Sequence, residues 1–151
     1  MFGLRPYMPE LRFSIIERKL QISSGKFFFV IIDGIVDLLY DFNNLIESKT
    51  LTTKLMEWSH IYDCHINNIL HTNKDLANAR GHLGAEQNNK SELVFKVQKD
   101  DDNISKVICE YSRNEGFKEW SFRIEDGLPK RVEFPTGYYL KSVEQHDDIP
   151  F

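Results

Sequence analysis

The chain has 151 residues and a mass of 17.8 kDa, a length that suits one domain. Its 19 basic and 23 acidic residues give a net charge of −4, which argues against a general nucleic-acid binder because such proteins need surplus positive charge. Hydrophobic residues make up 41% of the chain, enough for a core, which argues against extended disorder. The sequence therefore predicts a single globular domain over residues 1–151.

Two strands are predicted near the start of the chain. Residues 11–21 begin with apolar side chains at Leu11 and Phe13 that alternate with polar ones, as in a half-buried strand. Residues 26–32 (KFFFVII) are apolar at successive positions, as in a central strand that is covered on both faces. The Ser-Ser-Gly turn between them predicts an antiparallel hairpin.

Helical periodicity follows the turn at Asp33-Gly34. Apolar residues recur every three or four positions, which predicts two helices within residues 36–71, with a break near residues 48–50. Residues 72–91 are polar and contain two glycines, so they predict a long loop.

The last third of the chain predicts an antiparallel meander. Apolar and polar residues alternate in four segments, separated by turn-forming residues: 93–98, 104–111, 117–124 and 130–134. Residues 136–145 fit either a last strand or a short helix. The order strand–strand–helix–helix–meander predicts an α+β fold, with an antiparallel sheet of about six strands and two helices packed on one face.

Both tryptophans and one cysteine are predicted to lie in the core. Trp58 and Trp120 fall on the apolar positions of their elements. Cys109 shares its strand parity with Val107, so it is expected to be a buried thiol. Two cysteines, Cys64 and Cys109, make no disulfide framework, and reduced thiols indicate the cytoplasm.

Membrane and secretory segments are not expected. The longest apolar run, residues 27–32, is far shorter than the ~20 residues that span a bilayer. The opening sequence MFGLRPYMPELRF has charges and prolines where a signal peptide needs an apolar stretch.

Four potential metal ligands lie close together in the sequence: His60, Cys64, His65 and His71. On a helix, His60 and Cys64 share a face, but a closed zinc site needs two further ligands that the spacing does not supply. Cys64 and His65 are direct neighbours, so on a helix their side chains diverge by about 100° and do not form a nucleophile–base pair. Paired carboxylates lie beside turns, where they are usually solvated. We therefore expect no metal, no cofactor and no catalytic residues.

Five aspartates are the predicted partner-binding residues: Asp100, Asp101, Asp102, Asp147 and Asp148. The first three form an acidic tip between two strands and lack the spacing of an EF-hand loop. The last two belong to an acidic tail that is expected to be loose. Three adjacent carboxylates at a hairpin tip can enter a basic cleft, whereas the turn at residues 113–116 is expected at the opposite end of the sheet.

Two stretches resemble the immunity proteins of bacterial polymorphic toxin systems, which include those of contact-dependent growth inhibition. The first is MFG followed by LRFSIIE and GKFFFVIIDG, and the second is EWSFRIEDGLPKRVEFPTGYYLKSV, in which a strand leads to a Pro-x-Gly-Tyr-Tyr segment. The resemblance implies a non-enzymatic protein that binds one toxin domain in the cytosol and blocks it. Many such toxins are nucleases with basic clefts, which an acidic inhibitor can fill.

The sequence thus favours a cytoplasmic immunity protein whose partner is a basic toxin domain, with no direct contact to nucleic acid or membrane. A small-molecule-binding domain or small enzyme, with a pocket between sheet and helices, is the alternative. A structural or adaptor subunit of a larger assembly is the third hypothesis.

Overall fold

The computed structural model describes residues 3–71, 81–100 and 102–132. The chain divides into two units, Met1–Ser91 and Glu92–Phe151. The elements of the first are α1 (Pro9–Ile22), β1 (Phe29–Asp33), a 3-10 helix (Ile35–Leu38), α2 (Leu45–Ile61), β2 (His65–Ile69) and α3 (Gly81–Lys90). The elements of the second are β3 (Leu93–Lys99), β4 (Ile104–Ser112), β5 (Trp120–Glu125) and β6 (Leu128–Val132).

Helix α1 occupies the region for which the sequence predicts a strand, so the prediction of a strand over residues 11–21 is wrong. Pro9 stands at the start of the helix, where its missing N–H leaves no hydrogen bond unmade. Phe13, Ile16 and Leu20 are spaced by three and four residues and pack on one core. This helical spacing outweighs the short alternation that precedes it.

Strand β1 lies within and just beyond the predicted strand over residues 26–32, but its pairing differs from the prediction. It pairs in parallel with β2, with Phe29 opposite His65, because the segment before it is a helix and supplies no hairpin partner. Ile32 is buried in the core, whereas Phe29 and Ile31 are exposed. The strand is therefore covered on one face only, not on both.

The region 36–71 is only partly helical. Helix α2 begins after Asn44, whose Oδ1 accepts hydrogen bonds from the backbone N–H groups of Ile46 (2.9 Å) and Glu47 (3.1 Å). It continues through residues 48–50, so the predicted break there is wrong. Strand β2, rather than a second helix, forms the end of the region.

Helix α3 occupies the second half of the predicted loop over residues 72–91, and residues 72–80 lie outside the described residues. Its buried Gln87 connects three elements. The Gln87 side chain donates to Thr52 Oγ1 on α2 (2.8 Å) and accepts from Asn68 Nδ2 on β2 (2.9 Å). This polar segment forms a helix that buries Leu83 in the core and has both hydrogen bonds of its buried Gln87 amide made.

The core of the first unit is built around Trp58, which is 1% exposed, as the sequence predicts. Its ring lies 4.7 Å from that of Phe13, centroid to centroid. The indole Nε1 donates to Glu17 Oε1 (3.1 Å), and Lys54 Nζ lies 3.0 Å from the same oxygen. The other buried members of this core are Leu20, Ile32, Ile35, Leu38, Leu51, Leu55, Cys64 and Leu83.

The second unit contains the predicted antiparallel meander. Strands β3 to β6 pair in sequence order, each with the next. The register places Val97, Val107 and Trp120 opposite one another across three strands, and Ile104 opposite Arg123. Residues that are opposite in register share one face of the sheet, so Val97, Val107 and Trp120 lie on the same face.

The α+β class is therefore confirmed, whereas a single sheet of about six strands with two helices is wrong. The described strands form a two-stranded parallel sheet and a four-stranded antiparallel sheet, and three α-helices accompany them. The segment 136–145, predicted as strand or helix, lies outside the described residues. None of the described helices is long and apolar enough to cross a bilayer.

Candidate functional site

Two of the five predicted binding residues, Asp100 and Asp102, lie in the turn between β3 and β4, and both are exposed. A hairpin tip at this point of the chain is what the sequence predicts. Asp101, Asp147 and Asp148 lie outside the described residues.

Asp100 has a structural role in this turn. Its Oδ1 accepts hydrogen bonds from the backbone N–H groups of Asp102 (3.1 Å) and Ile104 (2.8 Å). Asn103 completes the turn in the left-handed region, with φ of 59°. The carboxylate of Asp102 makes no hydrogen bond or ion pair within the described ranges, so it is free to contact a partner.

The turn between β5 and β6 lies at the same end of the sheet. Ile104, the first residue of β4, is opposite Arg123, and β5 ends two residues later. Asp126 and Gly127 then form a two-residue turn with φ of 53° and 77°, as Asp-Gly hairpin turns require. The side chain of Asp126 is 94% exposed. The three carboxylates Asp100, Asp102 and Asp126 are termed the acidic end.

Glu125 lies at this end but is partly neutralised by its neighbours. Its carboxylate lies 3.2 Å from Arg123 Nε and 2.8 Å from Lys130 Nζ. The hydrogen bond from Lys130 is the main cause that lowers the pKa of Glu125. Lys130 lies 3.9 Å from Asp126, so Asp126 is less strongly compensated than Glu125.

The connection between β4 and β5 lies at the opposite end of the sheet, as the sequence predicts. Glu119 there lies 3.6 Å from Lys106 Nζ, and Glu115 is exposed. These two carboxylates are therefore separate from the acidic end, and Glu115 is a natural control for it.

The negative charge of the protein is concentrated in the second unit. Residues 1–91 contain ten basic and ten acidic residues, so their net charge is zero. Residues 92–151 contain nine basic and thirteen acidic residues, so the whole charge of −4 belongs to this part of the chain. A positively charged partner is attracted to the unit that carries the acidic end.

One face of the four-stranded sheet presents apolar side chains next to the acidic end. Trp120 shares this face with Val97 and Val107, and Phe122 and Ile124 follow at alternate positions of β5. Trp120 is 38% exposed, so its predicted place in the core is wrong. Val97, Trp120, Phe122 and Ile124 are termed the apolar patch.

The cysteines and histidines considered in the sequence do not converge. Cys64 is buried before β2, and burial raises the pKa of its thiol, which favours the unreactive neutral form. His65 is exposed and stacks on Phe29, with ring centroids 5.3 Å apart. Cys109 is half-buried rather than buried. Within the described ranges, no group of three His, Cys, Asp or Glu side chains is arranged to hold a metal ion.

Sequence reasoning missed Asp126 and the four residues of the apolar patch, of which Trp120 is the largest. The Asp-Gly turn is visible in the sequence, but only the strand pairing shows that it shares an end with Asp102. The alternation around Trp120 shows that it belongs to an apolar face, but not whether that face is covered.

The chain matches no protein family model, no curated protein and no solved structure. The candidate site consists of the acidic end and the adjoining apolar patch of the four-stranded sheet.

Proposed function

We propose that this protein is a non-enzymatic immunity protein that binds and neutralises a cognate bacterial toxin domain in the cytosol of the producing cell. The toxin is a nuclease with a basic cleft, and the acidic end occupies that cleft in place of nucleic acid. The observation that carries this proposal is that two hairpin turns bring Asp100, Asp102 and Asp126 to one end of one sheet. Carboxylates on short hairpins can meet the lysines and arginines that otherwise bind phosphates.

The distribution of charge supports the same proposal. The whole net charge of −4 lies in residues 92–151, the unit that contains the acidic end. A partner of opposite charge is then steered towards this unit, which accelerates the encounter. Rapid capture suits an inhibitor that must block a toxin inside the cell that makes it.

The resemblance to immunity proteins supports the proposal chiefly through its second stretch. That stretch begins at Glu119 and contains the hairpin β5–β6, including Asp126. The first stretch supports it less, because its LRFSIIE segment lies in helix α1 rather than in a strand pair.

Co-expression with a candidate toxin domain, such as one encoded by a neighbouring gene, tests the function. We expect the wild-type protein to restore growth and to co-purify with the toxin domain. Loss of protection, with both proteins soluble and folded, would contradict the proposal. Turnover of a substrate by the purified protein alone would contradict its non-enzymatic character.

The contribution of the acidic end is tested by Asp100→Asn, Asp101→Asn and Asp102→Asn combined. Asparagine at position 100 keeps an oxygen that can accept the two backbone hydrogen bonds, so the turn is retained. We expect toxin binding to weaken at least about tenfold at low salt and less at high salt, since the carboxylates attract the basic partner and their removal slows association. Glu115→Gln, at the other end of the sheet, is the matched control. A dissociation constant that the triple change leaves unaltered at low and high salt would exclude these aspartates from the interface.

A further inference from the structure

We propose that the apolar patch is the second half of a protein-docking surface. The partner is a protein that places an apolar ridge on the patch and carries basic side chains at one end of that ridge only. The inference deepens the proposed function, on which the identity of the partner rests. The surface itself can be tested without the toxin.

The geometry of the sheet places the patch beside the acidic end. Val107, 4% exposed, forms its floor, and Val97 and Trp120 flank it in register on β3 and β5. Ile124, 59% exposed, continues the patch along β5 to the last residues before the Asp126 turn. A partner segment that runs along β5 from Val107 to Ile124 would therefore cover the patch and end beside the acidic turns.

The far half of the same face is partly covered by its own chain. The connection between β4 and β5 passes so close that a Cβ on Gly116 would lie 3.1 Å from Cys109 Sγ. The Phe117 ring packs edge-on against Phe95, with centroids 6.4 Å apart. The connection covers the row of Phe95 and Cys109, whereas Val97, Trp120 and Ile124 of the apolar patch remain exposed.

The composition of the patch favours a protein as its occupant. A tryptophan and a phenylalanine lie side by side, with ring centroids 5.6 Å apart, and valine and isoleucine border them. Contiguous exposed apolar surface with a charged rim is characteristic of protein interfaces, where tryptophan often contributes most of the binding energy. Aromatic side chains on a sheet lose little conformational entropy on binding.

The charges around the patch define the chemistry of the partner. Lys99 and Arg131 share the row of Phe122 and lie on the two edge strands, so the sides of the patch are positive. The carboxylates of Asp102 and Asp126 lie beyond one end of it. A partner with basic side chains therefore fits in one orientation, with its positive charges at the acidic end and its apolar ridge over Val107.

Quenching of tryptophan fluorescence by acrylamide tests whether the patch is open in the full chain. Trp58 is buried and Trp120 is partly exposed, so we expect one quenchable and one protected emission component. Trp120→Phe should remove the quenchable component. A Trp120 that is protected at all protein concentrations would show that the chain itself covers the patch and would overturn the proposal. Protection that increases with protein concentration would assign the face to a second copy and would equally overturn it.

The chemistry of the occupant is tested with an amphipathic leucine–lysine helix of about four turns as the probe, and with its leucine–glutamate counterpart. We expect the lysine peptide to bind and the glutamate peptide not to bind. Trp120→Ser should weaken binding about tenfold, and Asp102→Asn with Asp126→Asn should do so at low salt. Ile46→Ser, an exposed apolar position of the first unit, and Glu115→Gln should have no effect. Trp120→Phe retains an aromatic ring and is the second variant in case serine disturbs the sheet. Full peptide affinity in both Trp120 variants would refute the role of the patch.

Failure of the proposed function and failure of this inference give different results. Toxin protection that survives Trp120→Ser at wild-type toxin affinity would overturn the docking surface and leave the immunity function intact. Absence of toxin protection, together with peptide binding that depends on Trp120 and the acidic end, would overturn the immunity function and support the surface.

Discussion

Replacing Gly81 by alanine should destabilise the first unit much more than replacing Gly25, although both glycines have positive φ, 60° and 72°. A Cβ on Gly81 would overlap Asn43 Oδ1 and would lie 2.9 Å from a ring carbon of Phe42 and 3.2 Å from the Phe42 carbonyl oxygen. That carbonyl accepts the backbone hydrogen bond of Leu83 (3.1 Å), which anchors the first turn of α3. A Cβ on Gly25 would meet nothing within 4 Å.

The expected magnitudes follow from two separate effects. The left-handed conformation costs an L-residue about 1–2 kcal/mol at either position. The reduced entropy of the unfolded chain offsets about 0.4–1 kcal/mol of this cost, again at both positions. Overpacking adds about 1–3 kcal/mol at Gly81 alone. We therefore expect a loss of about 1 kcal/mol for Gly25→Ala and about 2–4 kcal/mol for Gly81→Ala.

Urea unfolding monitored by Trp58 fluorescence measures both losses. A Trp120→Phe background removes the second tryptophan, so the signal reports the core of the first unit. Gly25→Ala is the matched control, since it shares the backbone strain but not the steric conflict. Equal losses of unfolding free energy for the two variants, within about 0.5 kcal/mol, would refute the steric account of Gly81.

Two further predictions concern titration and thiol chemistry. Hydrogen bonds from Lys54 and Trp58 lower the pKa of Glu17 in the folded protein. Their contribution to stability is therefore complete above the ordinary pKa of 4.5. It is lost as the pH falls through the lowered pKa of the folded state. Glu17→Gln should reduce this acid loss of stability in urea unfolding between about pH 6 and pH 3, and an unchanged pH dependence would contradict the linkage. In native protein, a thiol reagent should modify half-buried Cys109 before Cys64, because Cys64 is buried and its thiol has a raised pKa. Variants with a single cysteine replaced by serine identify which thiol is labelled. Faster labelling of Cys64 would contradict this order.

The meander could be predicted from the sequence because every strand pairs with its neighbour along the chain. Period-two alternation identifies the strands, and the acidic turn and the Asp-Gly turn identify the hairpins. The pairing of β1 with β2 could not be predicted in this way. These strands are parallel, and helix α2 separates them in the sequence, so no turn signal connects them.

Helix α1 shows how local patterns compete. Residues 11–16 are rich in strand-forming side chains and alternate over two periods, but Phe13, Ile16 and Leu20 also fit a helical face. The tertiary core decides between the two, because that helical face packs against Trp58. Prediction of the candidate site was limited in a similar way. The acidic residues are visible in the sequence, but the end of the sheet that each turn occupies depends on the strand register.

The two parts of the proposed surface should affect different rate constants. Asp102 and Asp126 are exposed at the rim, so Asp102→Asn with Asp126→Asn should slow association, and the effect should shrink at salt concentrations that reduce the Debye length below ~10 Å. Trp120 lies within the apolar patch, so Trp120→Ser should accelerate dissociation at every salt concentration. Stopped-flow binding of the lysine peptide or of the toxin domain measures both constants. If both variants changed the same rate constant with the same dependence on salt, the assignment of separate steering and docking roles would be wrong.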